Sequence, residues 1–155
     1  MKILAVCLGN ICRSPLAEGL LRREAEKRNL NWKVASGGTA KYHVGKPPDP
    51  RSIAIAREHG LDISAQRSHH VTAADLTAYD LVLAMDRQNA QDLRARAETA
   101  VDRDKIHVFL EYGGVSEEFG LDVFDPYYDD EAYSGVYKAV EKAAKGVVHR
   151  LAGGT

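Results

Sequence analysis

The chain has 155 residues, 45% hydrophobic and 28% charged, which is enough apolar content for one core, so positions 1–155 are expected to form a single domain. A formal net charge of −1 counts against nucleic-acid binding as the main task, because domains that hold a phosphate backbone carry a basic excess. Two cysteines, Cys7 and Cys12, give no disulfide framework, and no apolar run suits a signal peptide or a membrane span; a reducing, cytoplasmic setting without a membrane partner is expected.

Ile3 to Val6 reads as a buried strand. It runs into Cys7-Leu8-Gly9-Asn10-Ile11-Cys12-Arg13-Ser14-Pro15, whose proline suits a first helical position. Strand, tight loop and helix start together make an anion site, since unpaired backbone N–H groups and the positive end of the helix dipole gather there. Gly9 tolerates positive φ without steric cost, Asn10 tolerates it better than most residues, and the Asn10 amide could pin the loop from inside. Leu16 to Arg28 is a helix with one apolar face, Trp32 to Ser36 a short strand ended by Gly37-Gly38, and Pro50 to His59 a helix closed by Gly60. Leu81 to Met85 is the next buried run, Asp86 to Ala95 a helix, and Ile106 to Leu110 a fourth strand candidate. Tyr112 to Asp130 shows no period and reads as one long loop, followed by an amphipathic helix from Ser134 to Leu151. Such alternation predicts a three-layer α/β domain of parallel strands with helices on both faces, with its ligand site at the carboxyl ends of the strands.

The spacing Cys-x5-Arg-Ser has a chemical reason. A cysteine attacks only as thiolate, and a helix N-terminus, a guanidinium and hydroxyl donors all lower a thiol's pKa. Arg13 can hold two oxygens of a trigonal phosphoryl group while Cys7 attacks from below, with the loop Leu8, Gly9, Asn10, Ile11, Cys12, Arg13 and Ser14 surrounding the anion. Ser14 could cap the helix or donate to the Cys7 sulfur, and the sequence leaves both open.

The run Cys7 to Pro15, together with Asp125-Pro126-Tyr127-Tyr128 far downstream, resembles the low-molecular-weight protein tyrosine phosphatases. The resemblance covers nearly the whole chain, through Val44-Gly45, Pro48-Asp49-Pro50 and Met85-Asp86. It implies a four-stranded parallel sheet with the phosphate-binding loop after the first strand. It also implies hydrolysis of phosphotyrosine and aryl phosphate monoesters through a cysteinyl-phosphate intermediate. Tyrosine-phosphorylated proteins would be the partners, inorganic phosphate, sulfate or vanadate the site ligands, and no metal or cofactor is expected. Displacing a tyrosyl oxygen needs a proton, which a carboxylic acid beside the anion can supply before its carboxylate activates water; the resemblance gives that role to Asp125. Tyr127, Tyr128 and Tyr42 are the aromatic rim candidates, Tyr42 by its place just before Val44-Gly45.

Blander readings stand beside these. Asp122, Asp125, Asp129, Asp130 and Glu131 could be only a solvated acidic loop, His69-His70 reads as surface rather than a metal site, and His107 and His149 as structural. Arsenate reduction on the same fold passes a disulfide along three cysteines, where this chain has two, and a non-catalytic phosphopeptide-binding module would more naturally have lost Cys7 or Asp125. A curled cradle brings its first and sixth residues to one side. Cys12 is therefore expected as a redox partner of Cys7, with a small buried hydrophobe as the alternative.

Overall fold

The structure is a computed structural model that describes residues 1–153, so positions 154 and 155 of the expected 1–155 domain lie outside the described residues. Among the described residues the sheet has four parallel strands, β1 (Lys2–Cys7), β2 (Lys33–Gly38), β3 (Leu81–Ala84) and β4 (Ile106–Val108), in the order β2-β1-β3-β4. Side chains of β1 alternate between two buried faces. Ile3, Ala5 and Cys7 pack against α1 (Arg13–Lys27), α2 (Pro50–Glu58) and α8 (Tyr133–Leu151). Leu4 and Val6 pack against α3 (Ala73–Ala78) and α4 (Arg87–Arg96). Burial on both sides is why this strand reads as a continuous apolar run instead of an alternating one. No helix among the described residues is long and apolar enough to cross a membrane.

Strand order positions the site. β1 is central, its following strand lies to one side and β3 to the other, so the connections diverge at the carboxyl end of β1 and open a crevice there. The loop Leu8–Cys12 starts at that point.

Several boundaries differ from expectation, each for a local reason. Helix α1 starts at Arg13, placing Pro15 at its third position, and Cys12 at the cap makes no side-chain cap bond. Strand β2 runs on through Gly37 and Gly38; a Cβ on Gly38 would stand 2.7 Å from the Leu8 carbonyl oxygen, so the glycine lets β2 pass beneath the loop. β4 stops at Val108, and Phe109 and Leu110 open α6 (Phe109–Tyr112), because a short apolar run is equally suited to a strand and to a buried helical turn. The expected loop from Tyr112 to Asp130 contains α7 (Ser116–Phe119). Helices α3 and α5 (Ala100–Asp104), also unforeseen, are capped by Thr72 and Thr99, whose side chains accept from the Asp75 and Asp102 amides.

Candidate active site

The loop between β1 and α1 is held from outside by its carbonyls. Ala40 N donates to Leu8 O (3.0 Å), Ser68 Oγ to Gly9 O (3.1 Å), Asp49 N to Ile11 O (2.8 Å) and Ser52 Oγ to Cys12 O (3.3 Å). Because a trans peptide unit is planar with C=O and N–H opposed, turning these four carbonyls outward turns the amides of Gly9, Asn10, Cys12 and Arg13 inward. One of the four can be checked directly: Asn10 N donates to Cys7 Sγ at 3.2 Å. The ring of inward amides is an anion cradle at a helix N-terminus.

The residue that makes the curl possible is Asn10, at φ +57°; Gly9 is not in the left-handed region. Asn10 is 2% exposed and its side chain is satisfied on every side. Nδ2 donates to Ser14 Oγ (2.8 Å) and Ser36 Oγ (2.9 Å), while Oδ1 accepts from His69 N (2.9 Å). Behind it, Ser36 donates to Glu18 Oε1 (2.8 Å) and Arg22 to Glu18 Oε2 (3.0 Å). Burial raises the Glu18 pKa and the Ser36 and Arg22 donors offset only part of that. Of its two possible jobs, Ser14 does not do the first: it makes no helix cap, and its Oγ stands 3.1 Å from Cys7 Sγ, within hydrogen-bond reach. The Cys7 sulfur, at 3% exposure, thus sits between a backbone amide and a hydroxyl.

Arg13 is 3% exposed and anchored through one edge. Its Nη1 donates to Asp86 Oδ2 (2.7 Å) and to the Val123 carbonyl (3.0 Å), which leaves Nε and Nη2 as a fork able to hold two oxygens of an anion. Burial alone works against the Arg13 charge, but the Cys7 sulfur and the Asp86 carboxylate outweigh it and hold the guanidinium pKa above its ordinary value. Asp125 faces the same place from an exposed loop: Oδ2 is 3.7 Å from Arg13 Nη2, and Oδ1 accepts from Tyr127 N (3.1 Å) across the turn at Pro126.

These groups surround a pocket of about 260 Å³. Cys7, Gly9, Ile11, Cys12 and Arg13 line it together with Leu8, Asp125, Tyr42, His43, Tyr127 and Tyr128. Tyr42 and Tyr128 are largely exposed rim residues, and Tyr127, exposed to a lesser degree, has its ring 5.5 Å from the Arg51 guanidinium. Cys12 and Cys7 are both free thiols; Cys12 Sγ lies 3.2 Å from Tyr133 Oη, and burial pushes its pKa up to about 11. His69 spends its ring on Asp75 (2.8 Å), and no group of three or more metal-ligating side chains occurs among the described residues. Asp86, Ser36, His43, Ser52 and Tyr133 are site neighbours that sequence reasoning did not assign. Only Asp86 had a visible signal, as a cap residue between a strand and a helix.

A family model described as low molecular weight phosphotyrosine protein phosphatase matches residues 2–154. The pig protein of that name is 32% identical over 153 residues, covering 96% of this chain and 94% of its own length. A protein tyrosine phosphatase from Entamoeba histolytica, solved with Hepes in the active site, superposes with a TM-score of 0.91 at 30% identity, covering 99% and 98% of the two chains. Vibrio vulnificus Wzb in complex with benzylphosphonate gives a TM-score of 0.82 at 32% identity, covering 96% and 97%.

Proposed function

The chain belongs to the family of low molecular weight phosphotyrosine protein phosphatases, and from that premise we propose that Cys7, Arg13 and Asp125 carry its reaction within one domain, 1–155. It is a cysteine-dependent hydrolase of phosphotyrosine monoesters. Cys7 Sγ attacks phosphorus in line with the departing tyrosyl oxygen. The inward amides and the free edge of Arg13 follow the equatorial oxygens into the trigonal transition state. Asp125 gives its proton to the tyrosyl oxygen, and the aryl alcohol leaves with Cys7 phosphorylated. The Asp125 carboxylate then takes a proton from water, which attacks phosphorus and releases phosphate and the thiolate. Leu8, Ile11, Tyr42, Tyr127 and Tyr128 give the pocket an apolar wall suited to a phenyl ring.

The observation that carries this reading is the Cys7 sulfur, held by Asn10 N and Ser14 Oγ at the floor of a pocket that Arg13 and Asp125 also line. Tyrosine-phosphorylated proteins are the proposed partners, with phosphate, sulfate and vanadate as competing ligands, in a cytoplasmic setting. Arsenate reduction and passive phosphopeptide binding fit less well. The thiol complement is Cys7 and Cys12 alone, and both the nucleophile and the acid are kept. Acid-quenching the enzyme during turnover of an aryl phosphate, with and without EDTA, tests the scheme. The phosphoryl group should be found on the peptide containing Cys7, with rates unchanged by EDTA; a phosphoryl group elsewhere, or loss of rate with EDTA, overturns it.

Cys12 is proposed as the redox partner of Cys7. Oxidation of Cys7 to a sulfenic acid lets the Cys12 thiolate attack that sulfur and expel hydroxide, giving a disulfide that a dithiol reductant reopens.

A further inference from the structure

The segment that bears Asp125 is tethered to the body of the protein at few points. Among the described residues, the hydrogen bonds made between Phe124 and Ala132 are internal except one: Asp129 N donates to Pro126 O, Tyr127 N to Asp125 Oδ1, Glu131 N to Asp129 Oδ1 and Ala132 N to Asp129 O. The exception among the described residues is Arg51, whose Nη1 donates to Asp130 Oδ1 at 2.6 Å. The other ionic contact, Asp125 with Arg13 at 3.7 Å, lies on the side that substrate must enter.

Arg51 is itself fixed. Asp49 Oδ1 accepts from its backbone N (2.8 Å) and Nε (2.9 Å), and Asp49 Oδ2 accepts from Nη2 (2.8 Å). The guanidinium lies 5.5 Å from the Tyr127 ring and 4.9 Å from the Tyr133 ring. Asp49 N holds the Ile11 carbonyl of the phosphate loop, and Tyr133 Oη touches Cys12 Sγ. One side chain therefore joins the acid segment, through Asp130 and Tyr127, to two of the groups that touch the cradle, Asp49 and Tyr133.

We propose that Arg51 is a positioning residue for the protonation step, holding the Asp125 segment in register with the phosphate loop; the inference rests on Asp125 being the general acid. Its bond to Asp130 is largely exposed and adds little to global stability, so its effect falls on where Asp125 stands and not on whether the protein folds. A carboxylic acid displaced by an ångström protonates a leaving group poorly, while the nucleophile and the cradle are untouched.

The test is a leaving-group series of aryl phosphates measured on wild type, Arg51→Ala, Asp130→Asn and Asp125→Ala, with vanadate inhibition alongside. Arg51→Ala should lose about tenfold or more in kcat/KM on phenyl phosphate, under about twofold in kcat/KM on a dinitrophenyl phosphate that needs no proton, and nothing in vanadate affinity; kcat/KM is read because it ends at phosphoryl transfer to Cys7, before the water-activating step that all substrates share. Asp130→Asn, a surface change that leaves folding intact, should lose in the same direction by less. Equal losses across the series, weakened vanadate binding, or wild-type rates on phenyl phosphate in both variants would overturn the role of Arg51. If Asp125→Ala keeps a leaving-group dependence while Arg51→Ala and Asp130→Asn do not, only the Arg51 proposal fails. If Asp125→Ala loses kcat/KM uniformly, the acid assignment fails with it.

Discussion

The phosphate loop and the acid segment meet at one pocket and are built in opposite ways. In the first, four carbonyls are tied outward, and Cys7, Asn10 and Arg13 are between 2% and 3% exposed. In the second, residues 127 to 131 are all exposed, and a single hydrogen bond leaves the segment 124–132 for the rest of the described residues. The contrast follows from what each must do. Stabilising charge that develops on phosphoryl oxygens works through donors already aimed at it, so reorganisation in the cradle would cost rate. The proposed acid, Asp125, would have to let a phosphomonoester in, give a proton, take one from water and let phosphate out. A segment with few bonds does that, provided something sets its resting place.

The contrast can be broken from its rigid side first. Cys7→Ser should lower kcat by about 10⁴-fold or more, because no other group forms the covalent intermediate, yet leave vanadate or phosphate binding to the amides and Arg13 in place. Calorimetric titration of that variant with vanadate reads the second half; lost binding would mean that the sulfur, not the cradle, holds the anion. On the sparsely bonded side, Asp125→Ala should cost ~10² to 10⁴ in kcat with little change in KM, and its kcat/KM should fall less for leaving groups of low pKa. A smaller effect is expected where the cradle is pinned. Asn10→Ala should lower kcat/KM by about 10²-fold and stability by about 1–3 kcal/mol, since Ser14, Ser36 and the His69 amide lose their partner. Asn10→Gly accepts the +57° φ without strain, so a Gly variant no better than Ala assigns the loss to the hydrogen bonds, and full recovery assigns it to the backbone.

The gentlest probe is pH. With its pKa pushed up to about 11 by burial, Cys12 is a neutral thiol at physiological pH, and the thiolate that closes the disulfide grows as pH rises. After peroxide has oxidised Cys7, closure followed by the mass of the loop peptide should speed up about tenfold per pH unit between pH 7 and 9. The hydrogen bond from Tyr133 works against the burial effect, so Tyr133→Phe should slow closure at a given pH. A closure rate independent of pH would remove Cys12 as the attacking thiol.

How far each region was legible follows from the same contrast. The cradle is local in sequence: Cys7, Asn10, Arg13 and Ser14 fall within one strand–loop–helix turn, and their chemistry can be read from spacing alone. Its supports are not. Ser36, Asp49, Ser52, Ser68 and Asp86 arrive from four other stretches, and each is a common polar residue that only the sheet order brings near the loop. The three layers were visible because α1, α4 and α8 are long enough to show a period. Helices α3, α5, α6 and α7 have four to six residues, too short for one, and of these only Thr72 and Thr99 offered capping signals that a closer reading would have used. Arg51 resembled any exposed arginine at a helix start until Asp130 stood opposite it.

Asp86 divides one carboxylate between two elements. Oδ1 accepts from Asn89 N at the start of α4 (2.7 Å), and Oδ2 from Arg13 Nη1 (2.7 Å). Local unfolding of the first turn of α4 therefore releases the brace on the phosphate-binding guanidinium, so opening and anion binding are thermodynamically linked. Any anion that binds only the braced form raises the free energy of that opening by RT ln(1 + [L]/Kd). Occupancy of the cradle thus reaches the amides of a helix on the opposite face of the sheet, with no ligand contact there and no movement of the fold.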